Sequence, residues 1–142
     1  MNNTKIIDYV ESQKSLHLYR ELQDAFIDVL SKLPKDQFEQ ICNYLIIMAF
    51  HEGTVGQVIH FDSRNNKFAV MQLYIPTNMP IDVMRWVVAH ELEHVMQERN
   101  WEVSDGMKLE DDATDFAKKI GYPKTEAISD WLTSENPENK LQ

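Results

Sequence analysis

A single cysteine, Cys42, stands in this chain of 142 residues. One thiol excludes an internal disulfide framework, so nothing in the cysteine pattern points to an oxidising compartment. Basic residues are scarce as well. Lys and Arg number 14 against 23 Asp and Glu, a formal net charge of −9, which argues against direct contact with nucleic-acid phosphates. Long apolar runs are missing: the longest, Leu45 to Phe50, falls far short of the roughly 20 residues that span a bilayer. The opening MNNTKIIDYVESQ has no basic start, apolar stretch or small-residue cleavage site, so no secretory leader is read and a cytoplasmic location is expected. Repeats, low-complexity tracts and Pro/Gly/Ser-rich linkers are also lacking. One domain over residues 1–132 is therefore expected. The tail TSENPENKLQ (133–142) has no apolar periodicity and reads as frayed or disordered.

What is present suits a folded domain: 43% of the residues are hydrophobic and 10% aromatic. Leu18, Leu22, Phe26, Val29 and Leu30 recur at three- and four-residue intervals and predict an amphipathic helix near 16–32. Pro34 breaks it and suits the first turn of a second helix, whose apolar face is Phe38, Ile41, Cys42 and Leu45. The run from Leu45 to Phe50 fits either a continuation of that helix or a buried strand, and the β-branched pair Ile46-Ile47 favours the strand. Residues 55–61 and 67–75 are rich in Val, Ile, Phe and Tyr. They flank the polar cluster 62–66, and so predict an antiparallel hairpin, with Gly53 and Gly56 at the turn leading into it. Beyond Pro76 and Pro80 come a helix from about Ile81 to Glu98 and another from about Met107 to Ile120, stopped by Gly121. A short helix over Thr125 to Leu132, capped by Thr125, follows. The order implies an α+β fold with N-terminal helices and a small antiparallel sheet.

Inside the first of those later helices stands His90-Glu91-Leu92-Glu93-His94, an HExxH pattern. At about 100° and 1.5 Å per residue, residues four apart leave the same helix face one turn apart. Two imidazoles so placed can converge on one metal ion. Glu91 projects roughly 80° to one side, too far to ligate and near enough to take a proton from a water on the ion. Random order of this composition yields the pattern about 0.014 times per chain. Context strengthens it: Val83, Met84, Trp86, Val87, Val88, Ala89, Leu92, Val95 and Met96 make the helix apolar on almost every side. Two imidazoles and a carboxylate in a buried helix are costly unless something satisfies them.

A catalytic zinc site needs a third protein ligand and an open position. The continuation HExxHxxGxxH is absent, since Gln97 and Asn100 stand where it needs Gly and His. The acidic start of the next helix, Glu110-Asp111-Asp112, is the nearest source. A reversal over residues 100–105 would bring that helix antiparallel to the first, about 8–10 Å away. Glu110 is then favoured to face the histidines, with Asp111, Asp115 and Glu102 as alternatives. The same acids also complement the helix dipole.

HELEH followed by E-x-x-A-x-x-F-A resembles the gluzincin-type metallopeptidases, and most closely the ImmA/IrrE family of small intracellular zincins, over about Val83 to Tyr122. The resemblance implies a zincin-like domain in which His90, His94 and Glu110 bind Zn2+, Glu91 is the general base and Ala113 is a small packing residue. Thr114 stands where that pattern usually has Asn or Asp, and Glu93 where it prefers an uncharged residue. The implied activity is zinc-dependent hydrolysis of peptide bonds in an intracellular, regulatory protein. The substrate would lie extended along a hairpin strand, 55–61 or 67–75. No direct nucleic-acid or membrane partner is expected. A zinc-stabilised interaction module with weak or no peptidase activity is the competing reading.

Other residues invite functional readings. His60, Tyr74, Tyr122 and Arg85 are candidates to stabilise an oxyanion, and His51 is a lone histidine without a partner at helical spacing. Trp86, Trp101 and Trp131 read as packing residues, Met48, Met71, Met84 and Met96 as core filler, and Cys42 as a buried thiol.

Overall fold

Apolar residues at helical spacing build the N-terminal half of the computed structural model, which describes residues 3–50, 56–62, 67–76, 78–97 and 106–135. Helix α1 (Asn3–Ser12) buries Ile6, Tyr9 and Val10. Helix α2 (Arg20–Leu30) buries Leu22, Ala25, Phe26, Val29 and Leu30, the stripe expected from their spacing. Leu18 is a correction: it lies 85% exposed. The chain makes a 3-10 turn over Lys14–Leu18 before α2 begins, and at about 120° per residue that turn points Leu16 inward and Leu18 out. Helix α3 (Lys35–Cys42) starts after Pro34, buries Phe38 and Ile41, and stops short of Leu45. Cys42 is only partly buried there, a further correction, and its thiol reaches the Glu39 carbonyl at 3.5 Å.

The ambiguous run Leu45–Phe50 is strand β1. It is followed by β2 (Gly56–Asp62) and β3 (Lys67–Tyr74), which pair antiparallel as the hairpin predicted. The sheet itself is mixed: its order is β1-β3-β2, with β1 parallel to β3 in register Leu45↔Ala69 to Phe50↔Tyr74. The central position of β3 was not readable from local pattern. Alternation sorts the two faces. Leu45, Ile47, Ala69, Met71 and Leu73 are buried toward the helices, while Ile46, Met48, Phe50, Ile59 and Phe61 point to the other side and remain exposed.

The two outer strands differ in their free edges. On β1, the Gln13 side chain accepts from the Ile47 N–H at 2.9 Å. Ser15 Oγ donates to the Ile47 carbonyl at 2.8 Å and accepts from the Ala49 N–H at 3.1 Å. Side chains from the 3-10 segment thus cap this edge, whereas β2 forms the opposite edge of the sheet.

Helix α4 (Ile81–Met96) packs against α2, β2, β3 and the helices that follow. It is buried on nearly all sides, from Val83 through Leu92 to Val95. Helix α5 (Gly106–Lys119) lies alongside it and ends in a Schellman motif. There Gly121 adopts φ +108°, its N–H reaches the Lys118 carbonyl at 3.1 Å, and the Tyr122 N–H reaches the Ala117 carbonyl at 2.8 Å. Helix α6 (Glu126–Glu135) is capped by Thr125, whose hydroxyl accepts from the Ile128 N–H at 3.2 Å, and it runs three residues past the expected end at Leu132. Among the described residues the chain is thus α+β, six α-helices with one three-stranded mixed sheet, and no helix is long and apolar enough to cross a membrane. Residues 63–66 and 100–105 of the expected turns, Gly53, and most of the tail 133–142 lie outside the described residues, and Asp62 is the last residue of β2.

The Tyr9 hydroxyl ties α1 to the sheet by donating to the Leu45 carbonyl at 2.8 Å, and Tyr9 meets Phe38 edge-on. Tyr9→Phe is expected to cost about 1 kcal/mol in urea unfolding. Burial, with the nearby Cys42 thiol second, holds the Tyr9 hydroxyl above the usual tyrosine range. Its contribution is therefore full below about pH 10, where unfolded tyrosine is neutral, and declines as pH rises further. Wild type should lose more stability than Tyr9→Phe between pH 9 and pH 11, and equal losses would contradict the burial argument.

Candidate metal centre

The turn-by-turn geometry of α4 brings His90 and His94 to one face, and α5 lays Glu110 across them. His90 Nε2 lies 2.9 Å from Glu110 Oε2, His94 Nε2 lies 2.9 Å from Glu110 Oε1, and the two Nε2 atoms are 3.2 Å apart. One donor atom from each residue falls within 4.8 Å of the others. Four-coordinate zinc with bonds near 2.0–2.1 Å has tetrahedral edges of about 3.3 Å, so three donors at these separations suit a single ion. Both rings are buried, while the Glu110 side chain is 59% exposed, so the cluster opens to solvent on the α5 side.

Gln97 orients one of the donors. This residue is buried, and its Nε2 donates to the Leu109 carbonyl at 3.1 Å, which turns its Oε1 toward His94 Nδ1 at 2.8 Å. A carbonyl and an amide oxygen only accept, so the proton sits on His94 Nδ1 and a neutral ring presents the Nε2 lone pair to His90 and Glu110. If His90 likewise presents an Nε2 lone pair, three electron-rich atoms face one another. A divalent cation resolves that repulsion; without one, His94 is pressed to bind a second proton. Burial pulls His94 down, but Glu110, Glu91 and Gln97 more than offset it and the net direction is up. Hydrogen bonds with His90, then His94, hold the Glu110 carboxyl well below the usual carboxylate range. The residues present therefore fit a divalent ion.

Glu91 sits on the flank facing the sheet. It is buried, and burial pushes its carboxyl up to about 7, with His94 opposing and Glu110 adding to the rise. Gly56, the first residue of β2, makes room for it: a Cβ there would meet Glu91 Cγ and Oε1 at 3.0 Å. The turn reading of Gly56 is thus replaced by one of close approach. Glu93 leaves the opposite flank, half-buried beside Asp112 and Lys119. It lines a cleft of about 730 Å³ between α3, α4 and α5, and burial raises its carboxyl.

Of the alternative third ligands, Asp111 and Asp115 lie exposed outside the cluster, and Glu102 lies outside the described residues. Thr114 Oγ1 is 3.5 Å from His90 Nδ1, at the outer limit of a hydrogen bond, and Ala113 is fully buried. Trp86 packs its ring on His90, centroids 4.7 Å apart, and carries the Lys124 ammonium at 5.0 Å. The oxyanion candidates are engaged elsewhere. His60 Nε2 donates to the His94 carbonyl at 3.0 Å, and its Nδ1 accepts from the Tyr44 hydroxyl at 2.9 Å. That carbonyl belongs to the last turn of α4, so His60 satisfies a helix-end acceptor and pins β2 to that helix. Arg85 pairs with Asp28 at 3.0 Å, Tyr122 lies near both, and Tyr74 points to the outer sheet face. His51 and Trp101 lie outside the described residues. Sequence reading missed Gln97, although its place three residues after His94 puts it on the same helix face.

No protein-family model, curated protein or solved structure matches this chain.

Gln97→Leu is expected to weaken zinc binding about 10–100-fold in a competition titration against a chromophoric chelator. Thr114→Ala, which loses a 3.5 Å contact, should change it less. Equal effects of the two would contradict the role given to Gln97.

Proposed function

We propose that this chain is a zinc-dependent metallopeptidase of the gluzincin type, similar to the ImmA/IrrE zincins, in which His90, His94 and Glu110 hold the ion. The observation that carries the reading is the convergence of those three donors from two helices, with a buried carboxylate, Glu91, beside them. A zinc ion bound there would acidify a water molecule to a pKa near 7 and polarise a substrate carbonyl.

The remaining work falls to the chain. Glu91, buried beside the donors, accepts a proton from the attacking water at a carboxylate oxygen and later returns it to the leaving nitrogen. Gly56 lets that carboxylate lie against the start of β2, so the base and the sheet edge are neighbours. Because β3 is central and side chains cap the β1 edge, β2 is the strand on which an extended substrate segment would pair. The substrate class is a protein segment able to become extended. The proposed setting is the cytoplasm and the proposed target an intracellular regulatory protein, with neither nucleic acid nor membrane in the direct contact.

One observation favours the second reading, a zinc-stabilised interaction module with weak or no peptidase activity. His60, Tyr74, Tyr122 and Arg85 all face other partners or the outer face, so none of these four supplies an oxyanion donor at the cluster.

Zinc content and cleavage of an unfolded protein separate the readings. Glu91→Gln should retain zinc and lose at least ~100-fold in hydrolysis, whereas Glu110→Ala should lose both. Gly56→Ala should also retain zinc while lowering the rate, since its new methyl displaces the Glu91 carboxylate. Zinc-loaded wild type that cuts no unfolded protein would favour the module, and full hydrolysis by Glu91→Gln would remove Glu91 as the base.

A further inference from the structure

Among the described residues the sheet carries its helices on one side only. On the other, register stacks four short rows across the strands: Phe61 beside Phe68, then Ile59–Val70–Ile46, then Gln57–Gln72–Met48, then Tyr74 beside Phe50. Ile46, Met48, Phe50, Ile59 and Phe61 are 37–47% exposed. The Phe61 and Phe68 rings stack at 4.7 Å, and the two glutamines hydrogen-bond to each other, so even the polar row presents a partly satisfied surface.

We infer that this outer face is a self-association surface, on which a second copy of the chain packs sheet against sheet. The inference is independent of the proposed hydrolytic activity.

Area supports a second copy as the occupant. Large side chains bury about 150–250 Å² when fully covered, so five at roughly 40% exposure leave on the order of 400 Å². Their half-buried neighbours raise the face to roughly 600–700 Å² per copy, above the few hundred Å² that monomers ordinarily leave bare. Two such faces bury roughly 1,200–1,400 Å², the lower end of specific interfaces and consistent with a micromolar dimer. Charge points the same way. In a chain of net charge −9, the acidic and basic groups of β2 and β3 are Asp62 and Lys67, which pair with each other at 4.0 Å and by strand alternation belong to the other side of the sheet. A basic or acidic partner would find nothing to complement, whereas an identical neutral face buries no unpaired charge.

The pattern is also self-complementary. A two-fold axis between the sheets, perpendicular to the strands, lays the Phe61–Phe68 end over the Phe50–Tyr74 end and the aliphatic row over the glutamine–methionine row. Aligned sheets about 10 Å apart accommodate such interdigitation. The metal-site candidates lie on the helix side of the sheet, so this packing leaves them and the β2 edge open.

Sedimentation equilibrium on the full chain tests this. Wild type is expected to shift with concentration from 16.7 kDa toward twice that mass, with a micromolar dissociation constant. Ile46→Lys and Ile59→Lys, each on the exposed face, should weaken association at least ~10-fold with unchanged far-UV circular dichroism. Leu18→Lys, at an exposed apolar residue outside the three strands, should leave it unchanged. A wild type that stays at 16.7 kDa to several hundred micromolar overturns the inference, as does equal disruption by Leu18→Lys.

Discussion

Two buried imidazoles and a carboxylate brought together between α4 and α5 are the constraint on which the rest depends. His90 and His94 leave α4 one turn apart, and Glu110 closes on them from α5. The Gln97–Leu109 hydrogen bond aims a lone pair of His94 into that space and not away from it. An arrangement serving stability alone would place apolar side chains at these positions, since unsatisfied polar groups in such a helix are costly. The placement makes physical sense when a cation shares the three donors.

The surrounding fold serves the same geometry. The apolar faces of α2, β2 and β3 hold α4 in place, and the His60 bridge from β2 fixes the end of α4 that bears His94. Gly56 removes a side chain where the sheet must approach Glu91. The two edges of the sheet are treated differently: Gln13 and Ser15 occupy the backbone groups of β1, and β2 borders the buried carboxylate. In the proposed function, this asymmetry selects the strand that receives a substrate.

Much of this was legible in the order of residues, because its physics is local. Helical spacing in Leu22, Phe26 and Val29, the Pro80 start of α4, Gly121 at the end of α5 and the His90–His94 interval all act within one or two turns. Glu110 was legible because few acids lie within reach of an antiparallel neighbour. The failures are equally physical. Helix α1 buries only Ile6, Tyr9 and Val10, too few to stand out as a period. Leu18 fits the stripe by number but belongs to a 3-10 turn with different angular spacing. The parallel pairing of β1 with β3, the His60 bridge and the Gly56–Glu91 contact join residues far apart in the chain. No short window records such partners.

The most direct measurement of the central claim is X-ray absorption at the zinc edge on protein loaded with one equivalent of the metal. The account predicts a first shell of two imidazole nitrogens at about 2.0 Å and oxygen ligands, and loss of that bound zinc in Glu110→Ala. A first shell containing sulfur, or one with fewer than two imidazoles, would contradict it.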